Sequence, residues 1–109
     1  MLDKKAALAY ATRYAASVIS EFSPSVIVFF GSYANGDPTE DSDIDIAVIF
    51  DGFIGDWQKT ASRLWHFTWD IDGRIEPHLL DSADDPIGFV GEVMRTGEVI
   101  YQGCGGCGG

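Results

Sequence analysis

The chain has 109 residues, 46% of them hydrophobic, which suits one compact domain with a single core and is too little for two. Seventeen acids against seven bases give a net charge of −10, which argues against nonspecific duplex binding because phosphate contacts need a basic surface. No apolar run reaches the about 18 residues of a membrane span, and the N-terminus lacks the pattern of a signal peptide, so a soluble, cytoplasmic protein with no membrane partner is expected.

Leu2 to Phe22 reads as an amphipathic helix, with Leu8, Ala11, Ala15, Val18, Ile19 and Phe22 at spacings of three and four. Asp3 suits the positive end of its dipole, and Ser23-Pro24 stops it. Lys4, Lys5 and Arg13 read as a solvated face. Val26 to Phe30 is an uninterrupted apolar run of strand length, ended by Gly31-Ser32. A brief helical turn is expected over Ser32 to Gly36, followed by a loop in which Asp37, Glu40 and Asp41 are solvated acids. Asp43-Ile44-Asp45 then opens a second strand that runs to Phe50.

Asp56 is placed to cap a helix from Trp57 to Asp70, and its stripe of Trp57, Ala61, Leu64, Trp65 and Thr68 reads as core. A turn around Gly73 leads into a third strand, Ile75 to Asp81, in which Pro77 implies an edge position or a bulge. Pro86 suits the first turn of a last helix, with Asp84 or Asp85 as cap and Val90, Val93 and Met94 along it. Gly97 is expected to end that helix in the left-handed conformation, before a short closing strand or docked tail from Glu98 to Tyr101. Residues 1–102 thus form the domain, and 103–109 are a Gly-rich, disordered tail. The tail's Cys104 and Cys107 lack the other two ligands of a structural zinc site.

The chemistry concentrates between Val26 and Phe50. In a strand, residues i and i+2 share a face about 6 to 7 Å apart, so Asp43 and Asp45 make one carboxylate pair. Ile44, Ile46 and Val48 point the other way and can bury against helices. Acid and aliphatic residues also alternate at solvated strand edges. Asp is nevertheless disfavoured in strands, and two of them beside a Gly-Ser turn call for a reason. Mg²⁺ supplies one, because it takes oxygen ligands and is commonly held by one or two carboxylates plus substrate phosphates. Gly31 permits close backbone approach, and the Ser32 hydroxyl and nearby N–H groups can donate to phosphate. An EF-hand starting at Asp41 fails, with Ile46 where Gly is required and Gly52 where Glu is required. A Walker A loop fails for want of Gly-Lys-Ser/Thr.

Gly31-Ser32, ten residues, then Asp43-x-Asp45 resembles the signature of the minimal nucleotidyltransferase domains of the DNA polymerase β superfamily. The string from Gly31 to Val48, GSYANGDPTEDSDIDIAV, is similar to their pattern of Gly-Ser-x-Ala-Arg-Gly, a variable stretch, then Ser-Asp-x-Asp and an apolar strand. Asn35 departs from it, standing where members often carry Arg. The resemblance covers about residues 5–102. It implies an α/β (α+β) fold with a small mixed sheet of three or four strands, covered mainly on one face by helices. It also implies a third acid on the following strand; Glu76 matches by position, with Asp81 as the fallback. Asp43, Asp45 and Glu76 are then the catalytic and metal-binding residues, and Gly31 and Ser32 bind the nucleotide. His78 shares a strand face with Glu76 but is left outside the metal shell, and Arg74 is a guess for a phosphate contact.

The function implied is transfer of a nucleoside monophosphate, AMP from ATP, onto an acceptor hydroxyl with one or two Mg²⁺ ions. Many such domains are encoded beside HEPN-domain proteins and act as antitoxins, some by adding AMP to a toxin tyrosine. So short a chain is expected to draw its acceptor surface from a protein partner or a second copy in a homo-oligomer. Adenylylation of a small molecule is a variant, and a catalytically weak module that neutralises a partner by contact is the alternative from another class.

Overall fold

The computed structural model describes residues 3–39 and 42–103. Leu2, the loop acids Glu40 and Asp41, and Cys104 and Cys107 of the tail lie outside the described residues.

Helix α1 spans Lys4–Ile19, and the Asp3 carboxylate caps it by accepting from the Ala6 N–H at 2.7 Å. The helix is shorter than its apolar spacing predicts. Glu21 and Phe22 N–H groups both turn back to the Val18 carbonyl, so Phe22 reaches the core from a turn, not from a helical face. Ala7, Ala11, Tyr14, Ala15 and Val18 make the buried stripe, while Ile19 is half-exposed. Tyr14 has no exposed surface, and its hydroxyl donates to the Leu64 carbonyl at 2.7 Å. Burial pushes that phenol well above its ordinary range.

Strand β1 (Val26–Phe30), the single turn α2 (Ser32–Asn35) and strand β2 (Ile44–Phe50) follow; then come α3 (Trp57–Thr68), β3 (Ile75–Asp81), α4 (Phe89–Thr96) and β4 (Glu98–Gln102). The sheet order is β3-β2-β1-β4. β1 runs antiparallel to β2 and β4, whereas β2 and β3 are parallel, with α3 as the crossover between them. Pro77 sits on the edge strand β3, where a missing N–H costs no ladder bond on the open side.

Period-two alternation distributes the strand residues between two faces. Ile27, Phe29, Ile44, Ile46, Val48 and Ile75 join α1 and α3 in the larger core, as the sequence pattern requires. Val26, Val28, Ala47 and Ile49 face the other way and meet Val93 of α4. The sheet is therefore α+β with unequal covering: two long helices on one side and one short helix on the other.

Two expectations change. On α3 the buried residues are Thr60, Leu64, Phe67 and Thr68, and the two tryptophans of the predicted stripe, Trp57 and Trp65, remain 41% and 47% exposed. The Asp56 cap fixes the helix start, and in that phase Phe67 meets Tyr14 and Phe22 edge-on at 6.4 and 6.5 Å. Helix α4 starts after Gly88, later than Pro86 predicts, yet Asp85 does cap it, accepting from Phe89 and Val90 N–H at 3.0 and 2.9 Å.

Gly97 ends α4 as expected but in extended backbone, φ −96°, not in the left-handed conformation. Close packing explains the residue: a Cβ there would lie 2.5 Å from Val28 Cγ1, 2.8 Å from the Val93 carbonyl oxygen and 2.9 Å from that of Phe29. Two of those neighbours are backbone and cannot rotate away. Gly97→Ala should therefore destabilise the domain by about 1–3 kcal/mol, read as a lower urea midpoint with an unchanged slope. A loss under about 0.5 kcal/mol would mean that α4 shifts freely on the sheet.

Candidate active site

The strand register places the acids. Phe30 at the end of β1 is opposite Asp45 of β2, and Asp45 is opposite Glu76 of β3, so the three form one row across three strands. Asp45 lies on the α4 side of the sheet, the face opposite Ile44 and Ile46, beyond the part that Val93 covers. Asp43 sits just before β2 and is exposed. The start of β2 is pinned by the Ile44 N–H donating to the Arg74 carbonyl at 2.8 Å. The parallel strand pair thus sets Asp45 beside Glu76, and Asp43 precedes Ile44, where that pairing begins.

Gly31 is locked to the same spot. Its φ of +84° and ψ of −160° belong to a region that side-chain-bearing residues avoid. A Cβ at this position would overlap Asp45 Oδ2 and stand 3.0 Å from Asp45 Cγ. The turn after β1 and the carboxylate of β2 therefore occupy adjoining space that only glycine leaves open. Ser32 begins α2 directly beside it, and the short helix closes with Asn35 N–H to Gly31 carbonyl at 3.0 Å and a left-handed Gly36.

The electrostatics are those of crowded acids. A hydrogen bond to the Asp43 side chain, partial burial, and the charges of Asp45 and Asp43 raise the Glu76 carboxyl above its ordinary value of 4.5, against an opposing pull from His78. The linkage has a definite sign. As pH rises from the unfolded-chain value through the higher folded value, the folded protein holds a proton that the unfolded chain has released. Stability from this group is complete below the ordinary Glu range and is lost through the folded titration. Urea midpoints of metal-free protein from about pH 4 to pH 7 should fall more in the wild type than in Glu76→Gln; parallel curves would contradict this assignment.

His78 enters the cluster, contrary to the expectation that left it out. Its Nε2 is 3.2 Å from Asp45 Oδ1 and 3.7 Å from Glu76 Oε1. The imidazole packs edge-on against Phe30 at 5.1 Å, and Phe30 in turn meets Phe89 of α4 at 6.1 Å. The period-two relation to Glu76 was visible in sequence; the lateral register, which pairs His78 with Ala47 on the face of Asp45, was not.

Asp81, the fallback acid, is at the wrong end of the sheet, opposite Phe50. Its carboxylate accepts from the N–H groups of Gly52, Phe53 and Ala83 at 2.9, 3.0 and 2.9 Å, and these bonds hold its pKa below the usual range. It braces the loop after β2. Arg74 is exposed, its Nε 4.0 Å from Asp72. His66 packs on Trp69 at 4.3 Å, on the helix across the sheet from the acids.

Asp45, Glu76 and His78 offer one ligand atom each, all within 4.8 Å of one another. Ligands held about 2.1 Å from a common divalent ion stand roughly 3 to 4.2 Å apart, so the 3.2 and 3.7 Å separations on His78 suit a shared cation. The two carboxylates suit a divalent cation, the imidazole adds a nitrogen donor that the Asp-x-Asp motif does not predict, and Asp43 is not part of this group.

The fold is that of nucleotidyltransferase-like proteins. Among solved structures, it is similar to a candidate nucleotidyltransferase from Sulfolobus solfataricus, with TM-score 0.66 and 24% identity over 91% of this chain and 83% of that one. A mutant of the toxin–antitoxin pair MntA–HpeT is also similar, with TM-score 0.55 and 21% identity over 84% of this chain and 73% of that one. Residues 15–103 match the family model described as polymerase beta, nucleotidyltransferase, and the chain belongs to that family. No curated protein matches the sequence. Among the described residues, no helix is long and apolar enough to cross a membrane.

Proposed function

We propose that this protein is a divalent-cation-dependent nucleotidyltransferase that moves AMP from ATP onto an acceptor hydroxyl. The observation that carries the reading is the row of Asp45 and Glu76 on parallel strands, with Gly31 pressed against the Asp45 carboxylate and Ser32 beside it. Asp43, Asp45 and Glu76 would hold Mg²⁺, which when bound neutralises charge on the phosphates and lowers the pKa of the attacking hydroxyl. Gly31 and Ser32 hold the terminal phosphates, with the glycine keeping the backbone close and the serine donating its hydroxyl. Glu76, opposite Asp45 in the strand register, would as a carboxylate accept the acceptor's hydroxyl proton at Oε.

The acceptor we favour is a tyrosine on a HEPN-type protein partner. The fold shared with the toxin–antitoxin pair MntA–HpeT supports a protein partner, and so does the small size of the domain. A second reading has its own observation. Asn35 is exposed at the end of α2 and carries no charge to offer a phosphate, which favours a module that neutralises its partner by contact.

One experiment separates them: incubation with α-phosphate-labelled ATP and Mg²⁺ in a lysate of the source organism, wild type against Asp43→Asn/Asp45→Asn. Label appearing only with the wild type, resolved by gel and thin-layer chromatography, supports transfer and reveals whether the acceptor is protein or small. No label, together with no Mg-ATP binding, promotes the contact reading.

A further inference from the structure

We propose that His78 is a direct nitrogen ligand of the cation at this site, and that the resulting mixed imidazole–carboxylate set selects a first-row transition ion such as Mn²⁺ over Mg²⁺. The inference rests on the acid row being a cation site and concerns which ion it takes.

Three observations converge on His78. Its Nε2 points between two carboxylates from neighbouring strands, 3.2 Å from Asp45 and 3.7 Å from Glu76, where a solvated surface imidazole would turn outward. The ring is three-quarters covered and packs on Phe30, itself against Phe89, with its Nε2 within hydrogen-bond distance of Asp45. The backbone also fixes its reach. His78 and Glu76 are two apart on β3, both on the face of Asp45, and although the His78 Cα pairs with Ala47, two residues beyond Asp45, its Nε2 comes back to 3.2 Å from the Asp45 carboxylate.

Donor chemistry decides the ion. Mg²⁺ takes oxygen ligands and gives up its water reluctantly, so an imidazole adds little to its binding. Transition ions accept imidazole nitrogen more readily than Mg²⁺ does, with Mn²⁺ at the weak end of the first row, so the same ring adds more to theirs. A site of carboxylates alone serves either ion. One with a fixed nitrogen favours the second group.

Mn²⁺ is the probe, because its paramagnetism reports bound nitrogen directly. Pulsed electron paramagnetic resonance of the wild type with one equivalent of Mn²⁺ should show coupling to a directly bound nitrogen, and the coupling should change isotope when histidine is ¹⁵N-labelled. His66→Gln should keep it and His78→Gln should lose it; His66 is the chain's other histidine and lies across the sheet. In calorimetry, His78→Gln should weaken Mn²⁺ at least about tenfold and Mg²⁺ less than about threefold. The wild-type spectrum requires no substitution, so a variant that misfolds does not decide the matter. Mn²⁺ bound without nitrogen coupling overturns the inference and leaves His78 as a group that positions Asp45. Absence of any Mn²⁺ or Mg²⁺ binding, with or without ATP, overturns the inference and the cation-dependent reading beneath it.

Discussion

Asp45→Asn should reduce AMP transfer by at least about 1,000-fold while leaving the fold as stable as before or more so. The two halves of that expectation come from one geometry. Asp45 stands opposite Glu76 in the strand register and its charge contributes to the raised Glu76 pKa, so in the metal-free protein the two carboxylates oppose each other. Asparagine fills the same volume, keeps an oxygen to accept from His78 Nε2, and removes one charge from the crowd. The folded state loses a repulsion and gains none. What the amide cannot do is act as an anionic ligand to a divalent ion or balance its charge during transfer. Assays of transfer beside thermal unfolding at neutral pH check both halves. Lost activity with a lower melting temperature would place Asp45 among the structural residues of the sheet; retained activity would remove it from the catalytic set.

The alternation of acid and aliphatic residues is what makes this part of the chain legible in the sequence. A strand that alternates acid and aliphatic residues has only one way to bury Ile44, Ile46 and Val48, and that burial turns Asp45 to the opposite face. Glu76 follows from the parallel crossover, because a helix of suitable length separates two strands and puts them side by side. Less local features were not legible. Trp57 and Trp65 satisfy a helical stripe as well as Thr60, Leu64 and Phe67 do, and only the position of Tyr14 on another helix decides between them. Gly97 carries a signal that its sequence position misstates: the residue is required, but by Val28 and the Phe29 carbonyl of β1 and the Val93 carbonyl of its own helix, and not by its own dihedral angles. His78 needed the lateral register of β2 and β3, which a single sequence does not contain.

Gly31→Ala should be nearly as damaging to function as Asp45→Asn, and for a reason that can be divided into parts. The backbone at φ +84° and ψ −160° strains any residue with a Cβ, at a cost of about 1–3 kcal/mol. Separately, the new methyl group overlaps Asp45 Oδ2, so either the carboxylate swings out of the row or the turn carrying Ser32 moves. Each response spoils the juxtaposition of the acid and the turn proposed to bind phosphate, and transfer should fall at least about 100-fold. A double-mutant cycle separates the parts. In an Asp45→Ala background the overlap with the carboxylate is gone but the dihedral strain is not, so Gly31→Ala should cost at least about 1 kcal/mol less there than in the wild type. Equal costs in the two backgrounds would show that the strained turn alone demands glycine. A reduced cost would tie Gly31 to Asp45 and make the glycine of the Gly-Ser pair part of the acid site, an open volume that keeps the carboxylate of β2 against the turn that opens α2.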